Sequence, residues 1–351
     1  MTGIIDKQRP RGQILGPHLF EGISSVSTSP AIWVLADDRP GNIAQCLGVA
    51  EALGEPFRIV NVRYNLLGRW HNLLIGDHRH AMTRESRAEL MPPWPHLAIA
   101  AGRRTAPLAL WLKRRHGTRL VQIMDPGWPG RSRFDLIAAP RHDDLPDAAN
   151  VIHTLGSCHR ANPAKLAAEA EAWRGRLAHL PRPWLLLAVG GATKDYDFPI
   201  FRAEQMMAQT LTLAKAQNAT IIAVTSRRTG PKLEAAIQAM LPESSAFYPW
   251  REGAENPYLG LIALADIIVA TGDSMNMCSE ACANGGPVYL FCPPGMVNDK
   301  HARLHDQLME LGYARPLGDD LTPWRHPRLN AAEDVANEVR RRGLVPKVSI
   351  L

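Results

Sequence analysis

Residues 267–290 read IIVATGDSMNMCSEACANGGPVYL, a pattern that indicates a strand, a helix and the start of a second strand. An apolar run ends at Thr271, and a polar turn leads into a helix-like segment that closes at Asn284-Gly285-Gly286-Pro287. Another apolar run begins at Val288. A strand that leads through a helix into the next strand is typical of a parallel α/β sheet.

The polar turn of this stretch is a candidate ligand site. Ligands of open parallel sheets bind beyond the carboxyl ends of the strands, where Thr271, Asp273 and Ser274 follow the first run. Ser274 can cap the helix, and the free amides of its first turn suit a phosphate or a carboxylate. Glu280 follows about two turns later. The alternative is that Asp273 and Ser274 only cap the helix and that Glu280 is a solvated acid.

Composition indicates an ordinary soluble globular protein. The chain has 351 residues, of which 46% are hydrophobic and 21% charged, and this length suffices for two domains. No apolar run approaches the roughly 20 residues of a membrane span, and the N-terminus lacks the pattern of a secretory signal. The five cysteines lack a framework spacing, so we expect reduced thiols in the cytoplasm. Cys278 and Cys282 have no further ligands nearby, and we predict no metal site.

The positive charge is concentrated in the first half of the chain. Residues 1–180 carry 23 Lys and Arg against 16 Asp and Glu, whereas residues 181–351 carry 17 against 18. A basic half suits a phosphorylated substrate, an anionic membrane surface or an acidic partner, and the alternative is a solvated face. No aromatic-interleaved basic motif is present, so we expect no nucleic-acid partner.

The order of apolar runs predicts an α/β protein with two Rossmann-like domains. Strand-like and helix-like segments alternate on both sides of the Pro181-Arg182-Pro183 break. We predict four regions: a flexible arm over residues 1–29, a first domain over 30–180, a second domain over 181–330, and a closing helix with its tail over 331–351.

Two features of the first domain remain open from the residues alone. Asp38 and Arg39 follow the strand Ile32–Ala36, where they serve either function or a Pro-Gly turn, and Asn42 can cap the next helix. The Trp-, His- and Arg-rich insertion over 66–96 is either a surface-seeking segment or a packed helix pair.

Two further turns of the second domain suit an anion. Gly190-Gly191 lets backbone amides approach a ligand closely, with Thr193 and Lys194 behind them. Thr225 and Ser226-Arg227-Arg228-Thr229 add hydroxyls and two cations at the next strand end. With Glu280 placed to accept two ribose hydroxyls, these turns favour a nucleoside diphosphate. The alternative is a tight glycine turn beside solvated arginines, and both the P-loop and GxGxxG spacings are absent.

The chemical requirements of glycosyl transfer indicate further candidate residues. It requires a general base for the acceptor and positive charge on the leaving diphosphate. Asp38 and Asp125 are candidate bases by position, and Lys194, Arg227 and Arg228 are candidate stabilisers of the leaving group. No nucleophile signature such as GxSxG is present.

Several motifs together resemble those of the mitochondrial-fission Elm1-like family of plants and many proteobacteria. They occur in order from residue 31 to residue 292 and read WVLADDRPGNIAQCLGVAEALG, AAGRR, MDP, LLAVGGATKDYDF, TSRRTG, NPY and TGDSMNMCSEACANGGPVY. Many relatives have Asp-Gly-Arg-Pro-Gly in the first motif, where this chain has Asp38 in place of the glycine.

The resemblance implies a fold and several functions. The family is similar to glycosyltransferases of the GT-B type, in which two Rossmann-like domains face each other across a cleft. In that type the second domain holds the nucleotide-sugar, the first holds the acceptor, and a helix acid that Glu280 matches binds the ribose. It also implies that plant members recruit a dynamin-related protein at the mitochondrial outer surface. The Arg and Ala richness and the lack of a presequence favour a bacterial member.

Three functions follow as hypotheses. The first is a nucleotide-sugar-dependent glycosyltransferase without a tightly bound cofactor, cytoplasmic or peripheral at the inner membrane, acting on an envelope or other acceptor. The second is a non-catalytic adaptor that docks a protein partner or an anionic membrane through its basic half. The third is a nucleotide-sugar epimerase, because one epimerase class shares this architecture.

Overall fold

The computed structural model of the protein describes residues 31–65, 82–127, 130–318, 322 and 324–345. The predicted arm over 1–29 and residues 66–81 of the predicted insertion lie outside the described residues.

Six parallel strands form the first sheet, in the order β2-β1-β3-β4-β5-β6. They are β1 (Ile32–Ala36), β2 (Phe57–Asn61), β3 (Leu97–Ala101), β4 (Arg119–Ile123), β5 (Leu136–Pro140) and β6 (Val151–Thr154). The central strands are almost wholly apolar because helices cover both of their faces.

A second sheet of six parallel strands has the order β12-β11-β10-β7-β8-β9. Its strands are β7 (Trp184–Val189), β8 (Thr220–Thr225), β9 (Ala246–Tyr248), β10 (Ile267–Thr271), β11 (Val288–Phe291) and β12 (Arg315–Pro316). The predicted α/β class with two Rossmann-like units is confirmed. The connection order reverses between β7 and β10, which is where such sheets bind ligands.

Ten α-helices connect or cover the described strands. They are α1 (Pro40–Leu53), α2 (Arg84–Ala88), α3 (Gly102–His116), α4 (Pro163–Leu177), α5 (Ile200–Ala216), α6 (Gly230–Met240), α7 (Tyr258–Leu264), α8 (Met275–Ala281), α9 (Asp299–Glu310) and α10 (Ala331–Arg341). Helix α9 and the short strand β12 are absent from the sequence prediction.

Two helices pack across the order of the chain. Helix α4 contributes Leu166, Trp173 and other apolar residues to a core that includes β7, β8 and β10 of the second sheet. Helix α10, at the end of the described chain, packs Val335 and its neighbours against α1 and the first sheet. The packing of α4 differs from the division predicted at residue 180, because its apolar stripe meets α7 rather than the first sheet.

The start of α1 also differs from the prediction. The helix begins at Pro40, which is favoured at a first helical position because its missing amide hydrogen is not needed there. Asn42 therefore lies inside the helix and does not cap it. Its side-chain amide instead donates a hydrogen bond of 3.0 Å to Oδ2 of Asp37.

Candidate functional site

The carboxyl ends of β7, β8 and β10 bring together the three polar turns that the sequence singled out. Oγ of Ser226 donates to the carbonyl of Gly190 at 2.9 Å, which joins the first two turns. The amide of Gly190 donates to Oγ1 of Thr271 at 2.8 Å, and that of Gly191 donates to Oδ2 of Asp273 at 3.1 Å. Residues that are 36 to 82 positions apart in the chain therefore form one site.

The Asp273 carboxylate lies inside the glycine turn. A Cβ on Gly190 would come within 2.2 Å of its Oδ2, so only glycine leaves room for this carboxylate. Nη2 of Arg228 lies 2.6 Å from the same oxygen, and Nη1 of Arg228 donates to the Gly191 carbonyl at 3.0 Å. Oδ1 of Asp273 is buried and has no hydrogen-bond partner among the described residues. The two amides expected to bind a ligand anion thus donate to the protein's own side chains, that of Gly190 to Thr271 and that of Gly191 to Asp273.

Two cations stay at the exposed rim of this arrangement. The side chains of Lys194 and Arg227 are exposed and form no ion pair with the described part of the chain. Thr193 shapes its turn, since its Oγ1 accepts from the amide of Tyr196 at 3.1 Å. Of the predicted cations, Lys194 and Arg227 are available to an incoming anion, whereas Arg228 is already paired with Asp273.

Glu280 is a half-buried acid whose side chain makes no hydrogen bond or ion pair with any described residue. Burial raises the pKa of its carboxyl from the ordinary 4.5 to about 8. Its helix, α8, is capped by Ser274, whose side chain accepts from the amide of Met277. Tyr258 lies close by, and burial together with the Glu280 charge raises the pKa of its phenol. A desolvated carboxyl without a partner is suited to accept hydrogen bonds from ligand hydroxyl groups.

The first turn of the first sheet faces this site across the cleft. A Cβ on Gly41 would lie 3.2 Å from Nδ2 of Asn276, so α1 begins close to α8. Asp38, in the same turn, is 57% exposed and forms an ion pair with Arg104 of α3. Asp37 is instead buried and accepts from the amide of Arg39 at 3.0 Å, which fixes the turn. Asp38 is therefore the accessible carboxylate of this turn.

The other candidate base, Asp125, is paired. Arg131 donates to both of its oxygens, with Nε 2.8 Å from Oδ1 and Nη2 2.5 Å from Oδ2, and the amide of Gly127 also donates to Oδ1. Burial alone would raise the pKa of Asp125, but these hydrogen bonds outweigh it and lower the pKa below its ordinary value. A carboxylate so stabilised is a weaker proton acceptor than an ordinary aspartate.

Sequence reasoning missed the contribution of α9. Its first turn carries His301, which lies close enough to Asp273 for the two charges to interact, although burial lowers the pKa of the imidazole. His305 is buried on the next turn, where its Nε2 lies 3.8 Å from Sγ of Cys278 and burial lowers its pKa to about 4. The signal available in the sequence was Asn298, which caps the helix by accepting from the amide of His301.

Comparison with known proteins places the chain in a family. The family described as Mitochondrial fission ELM1 matches residues 40–343. This chain belongs to that family. The uncharacterized protein RP120 of Rickettsia prowazekii is 28% identical over 347 residues, which cover 88% of this chain and 97% of the relative. The mitochondrial fission protein ELM1 of Arabidopsis thaliana is also 28% identical, over 70% of this chain and 64% of the plant protein.

The fold of this ELM1-family member is shared with a nucleotide-sugar enzyme. The UDP-GlcNAc 2-epimerase of Methanocaldococcus jannaschii matches with a TM-score of 0.53 at 12% identity, over 88% of this chain and 99% of the epimerase. At this identity the likeness shows the fold alone, and it confirms the predicted GT-B-like arrangement. Among the helices that the structure describes, none is long and apolar enough to span a membrane.

Proposed function

We propose that the protein binds a nucleoside diphosphate sugar in the cleft and transfers the sugar to an acceptor hydroxyl. The observation that carries this proposal is Glu280, a half-buried carboxyl with no partner among the described residues. It lies on the helix that follows β10, beside the point where the strand order of the second sheet reverses. Two ribose hydroxyls would supply the hydrogen bonds that this carboxyl lacks.

The remaining polar groups divide into roles that fit such a transfer. Asp38 accepts the proton of the acceptor hydroxyl as its oxygen forms a bond to the anomeric carbon. The bond from that carbon to the diphosphate breaks, and its electron pair leaves with the nucleoside diphosphate. Lys194 and Arg227 stabilise the leaving charge, and Ser274 and Asp273 lie where the helix meets the ligand. Asp125 has a positioning role in this proposal, because its carboxylate holds the guanidinium group of Arg131.

A thermal-shift panel of nucleoside diphosphates and their sugars tests the proposal. A ligand at 100 times its dissociation constant should stabilise the fold by about 2.7 kcal/mol, which is readily measured. The Glu280→Ala variant should lose this shift, whereas Glu243→Ala, which removes an exposed acid from the loop before β9, should keep it. Equal shifts in wild type and Glu280→Ala would exclude Glu280 as the ribose-binding residue.

A second candidate function is favoured by the filled glycine turn. Asp273 and Arg228 already bind the amide and the carbonyl of Gly191, and Thr271 and Ser226 bind those of Gly190. The turn therefore has its hydrogen bonds satisfied without a ligand phosphate. An adaptor on this scaffold would dock an anionic membrane or a protein through its basic first half. It predicts no shift with any nucleotide, together with salt-sensitive binding to anionic vesicles that Glu280→Ala leaves unchanged.

A further inference from the structure

A second pocket lies at the end of the second sheet opposite the cleft. Its floor includes Asp266, just before β10, and Asn284, in the turn before β11. All strands of this sheet are parallel, so the residues that precede them share one edge, away from the carboxyl ends that hold Thr271 and Asp273. The pocket is open to solvent and has a volume of about 270 Å³. None of the residues that line this pocket belongs to the candidate sugar site.

Four arginines from three parts of the chain line this pocket. Arg174 comes from the last turn of α4, Arg182 from the segment before β7, and Arg325 and Arg328 from the loop before α10. Asp266 is the one acidic residue among the lining residues. The concentration of positive charge contrasts with residues 181–351 as a whole, which carry 17 Lys and Arg against 18 Asp and Glu.

The neutralisation of these arginines is incomplete. Arg182 is paired, since its Nε and Nη2 both reach Asp266 at 3.0 to 3.2 Å, and its guanidinium stacks over Trp184 at 4.3 Å. Arg174 has only a distant acid, Glu171, at 3.8 Å. Arg325 and Arg328 have no acid within ion-pair distance in the described part of the chain. At least two guanidinium groups therefore face the pocket without a counter-charge.

The loop that carries Arg325 and Arg328 is fixed in place. The amide of His326 donates to the carbonyl of Gly285 at 3.3 Å, and the amide of Leu329 donates to that of Cys282 at 3.1 Å. Cγ of Arg328 would lie 3.4 Å from a Cβ on Gly285, so this arginine packs closely over the turn before β11. Both arginines are thus held beside the pocket by main-chain bonds rather than by an acidic partner.

We infer that this arginine pocket is a second binding site, specific for a phosphate-type oxyanion. Guanidinium forks match phosphate oxygens in geometry and charge, and several converging cations favour an anion with more than one negative charge. The cavity is smaller than the roughly 300 Å³ at which sites for drug-sized molecules begin, so it suits a phosphate, a diphosphate or a phosphorylated head group. The inference does not depend on the proposed sugar transfer.

Titration calorimetry with pyrophosphate tests the inference on the full chain. The Arg325→Ala/Arg328→Ala variant should bind pyrophosphate about tenfold more weakly than wild type, because two exposed charge contacts are removed. The matched control Arg114→Ala/Arg115→Ala removes two exposed arginines near the end of α3 and should bind as wild type does. If the double variant does not fold, the single variants Arg325→Gln and Arg328→Gln replace it, and each should lose a smaller part of the pyrophosphate affinity.

Vesicles distinguish the two sources of phosphate. Binding to phosphatidylglycerol vesicles that pyrophosphate competes away, and that the double variant loses, would assign the pocket to a lipid head group. Pyrophosphate binding without vesicle binding would assign it to a free anion. The inference fails if wild type binds neither probe, or if pocket and control variants bind both as tightly as wild type. Pyrophosphate that bound in the cleft would not produce the expected result. Its affinity would then be the same for the pocket variant Arg325→Ala/Arg328→Ala and for the control Arg114→Ala/Arg115→Ala.

Discussion

At the residue scale, Asp273 shows how a polar turn can be interpreted in two ways. In the sequence, Asp273 and Gly190-Gly191 both look directed at a ligand. In the structure they are directed at each other, because the missing Cβ of Gly190 leaves a space that the carboxylate fills. Glu280 keeps the opposite character, since no described group satisfies its carboxyl.

The raised pKa of Glu280 predicts a pH-dependent stability difference. Because its pKa in the folded protein is about 8 against an ordinary 4.5, the folded state holds the proton more tightly than the unfolded state. The contribution of the protonated Glu280 carboxyl to the free energy of unfolding is fully present below pH 4.5 and is lost as the pH rises through 8. Glu280→Gln does not titrate and should avoid this loss.

Urea unfolding of wild type and Glu280→Gln at several pH values measures the effect. The free energy of unfolding of the variant, relative to wild type, should grow between pH 4.5 and 8 and then level off. Other titrating groups cancel in this comparison. A difference that stays constant across this range would show that Glu280 is ionised in the folded protein at ordinary pH.

At the element scale, α9 links the two sheets. Lys300 forms an ion pair of 2.5 Å with Oδ1 of Asp143, which lies in the short 3-10 turn Arg141–Asp143 after β5. Arg303, one turn later, donates from Nε and Nη2 to the carbonyl of His142 at 3.2 and 3.0 Å. The same helix places His301 beside Asp273, so the contact between domains and the candidate site share one element.

Removing the cation of this contact should destabilise the fold. The Asp143 side chain is only 8% exposed, so Lys300→Met would leave a nearly buried carboxylate without its partner. We expect the free energy of unfolding to fall by about 2 kcal/mol, less than for a fully buried pair because Lys300 itself is partly exposed.

Chemical denaturation of a double-mutant cycle provides the measurement. Adding Asp143→Asn to Lys300→Met should recover most of the loss, since the unpaired charge is then removed. The control Lys232→Met, on the exposed face of α6, should change stability little. Equal effects of Lys300→Met and Lys232→Met would show that the ion pair contributes nothing to the fold.

At the scale of the whole molecule, the last described helix packs back onto the first sheet. Helix α10 follows all twelve described strands, yet its buried residues Ala332, Val335 and Val339 pack into the core of the first sheet with Val49 of α1. The chain therefore passes from the first sheet to the second and returns. The core of the first sheet is therefore completed by residues that follow the second sheet in the chain.

Because α10 packs on the first sheet, we predict that Val335→Ala affects β1 and α1, which are distant from it in the sequence. Val335 is fully buried, and shortening it should lower the stability of the first domain by about 2 kcal/mol. Hydrogen exchange should become faster in β1 and α1 and remain unchanged in β7. Asn337→Ala, on the exposed face of the same helix, is the control and should leave exchange near wild type. Faster exchange in β7 alone would contradict the packing of α10 on the first domain.

The sequence by itself determined the fold class and most of the strands. Strand β1 agrees with its predicted bounds and β11 begins at the predicted Val288, because both are continuous apolar runs. Helix α9 was missed because its buried side chains, such as Leu304 and Leu308, are few among charged residues. The alternation of such runs also sufficed to predict parallel sheets, since it depends only on local order.

Only the tertiary structure decided which polar residues meet. Whether Asp273 faces a ligand or Gly191, whether Asp125 is free or held by Arg131, and which sheet α4 covers all depend on contacts between distant parts of the chain. The arginine pocket has the same origin, because Arg174, Arg182 and Arg328 converge only when α4, β7 and the loop before α10 are packed together. Local pattern sets the elements, whereas burial and charge pairing between them set the sites.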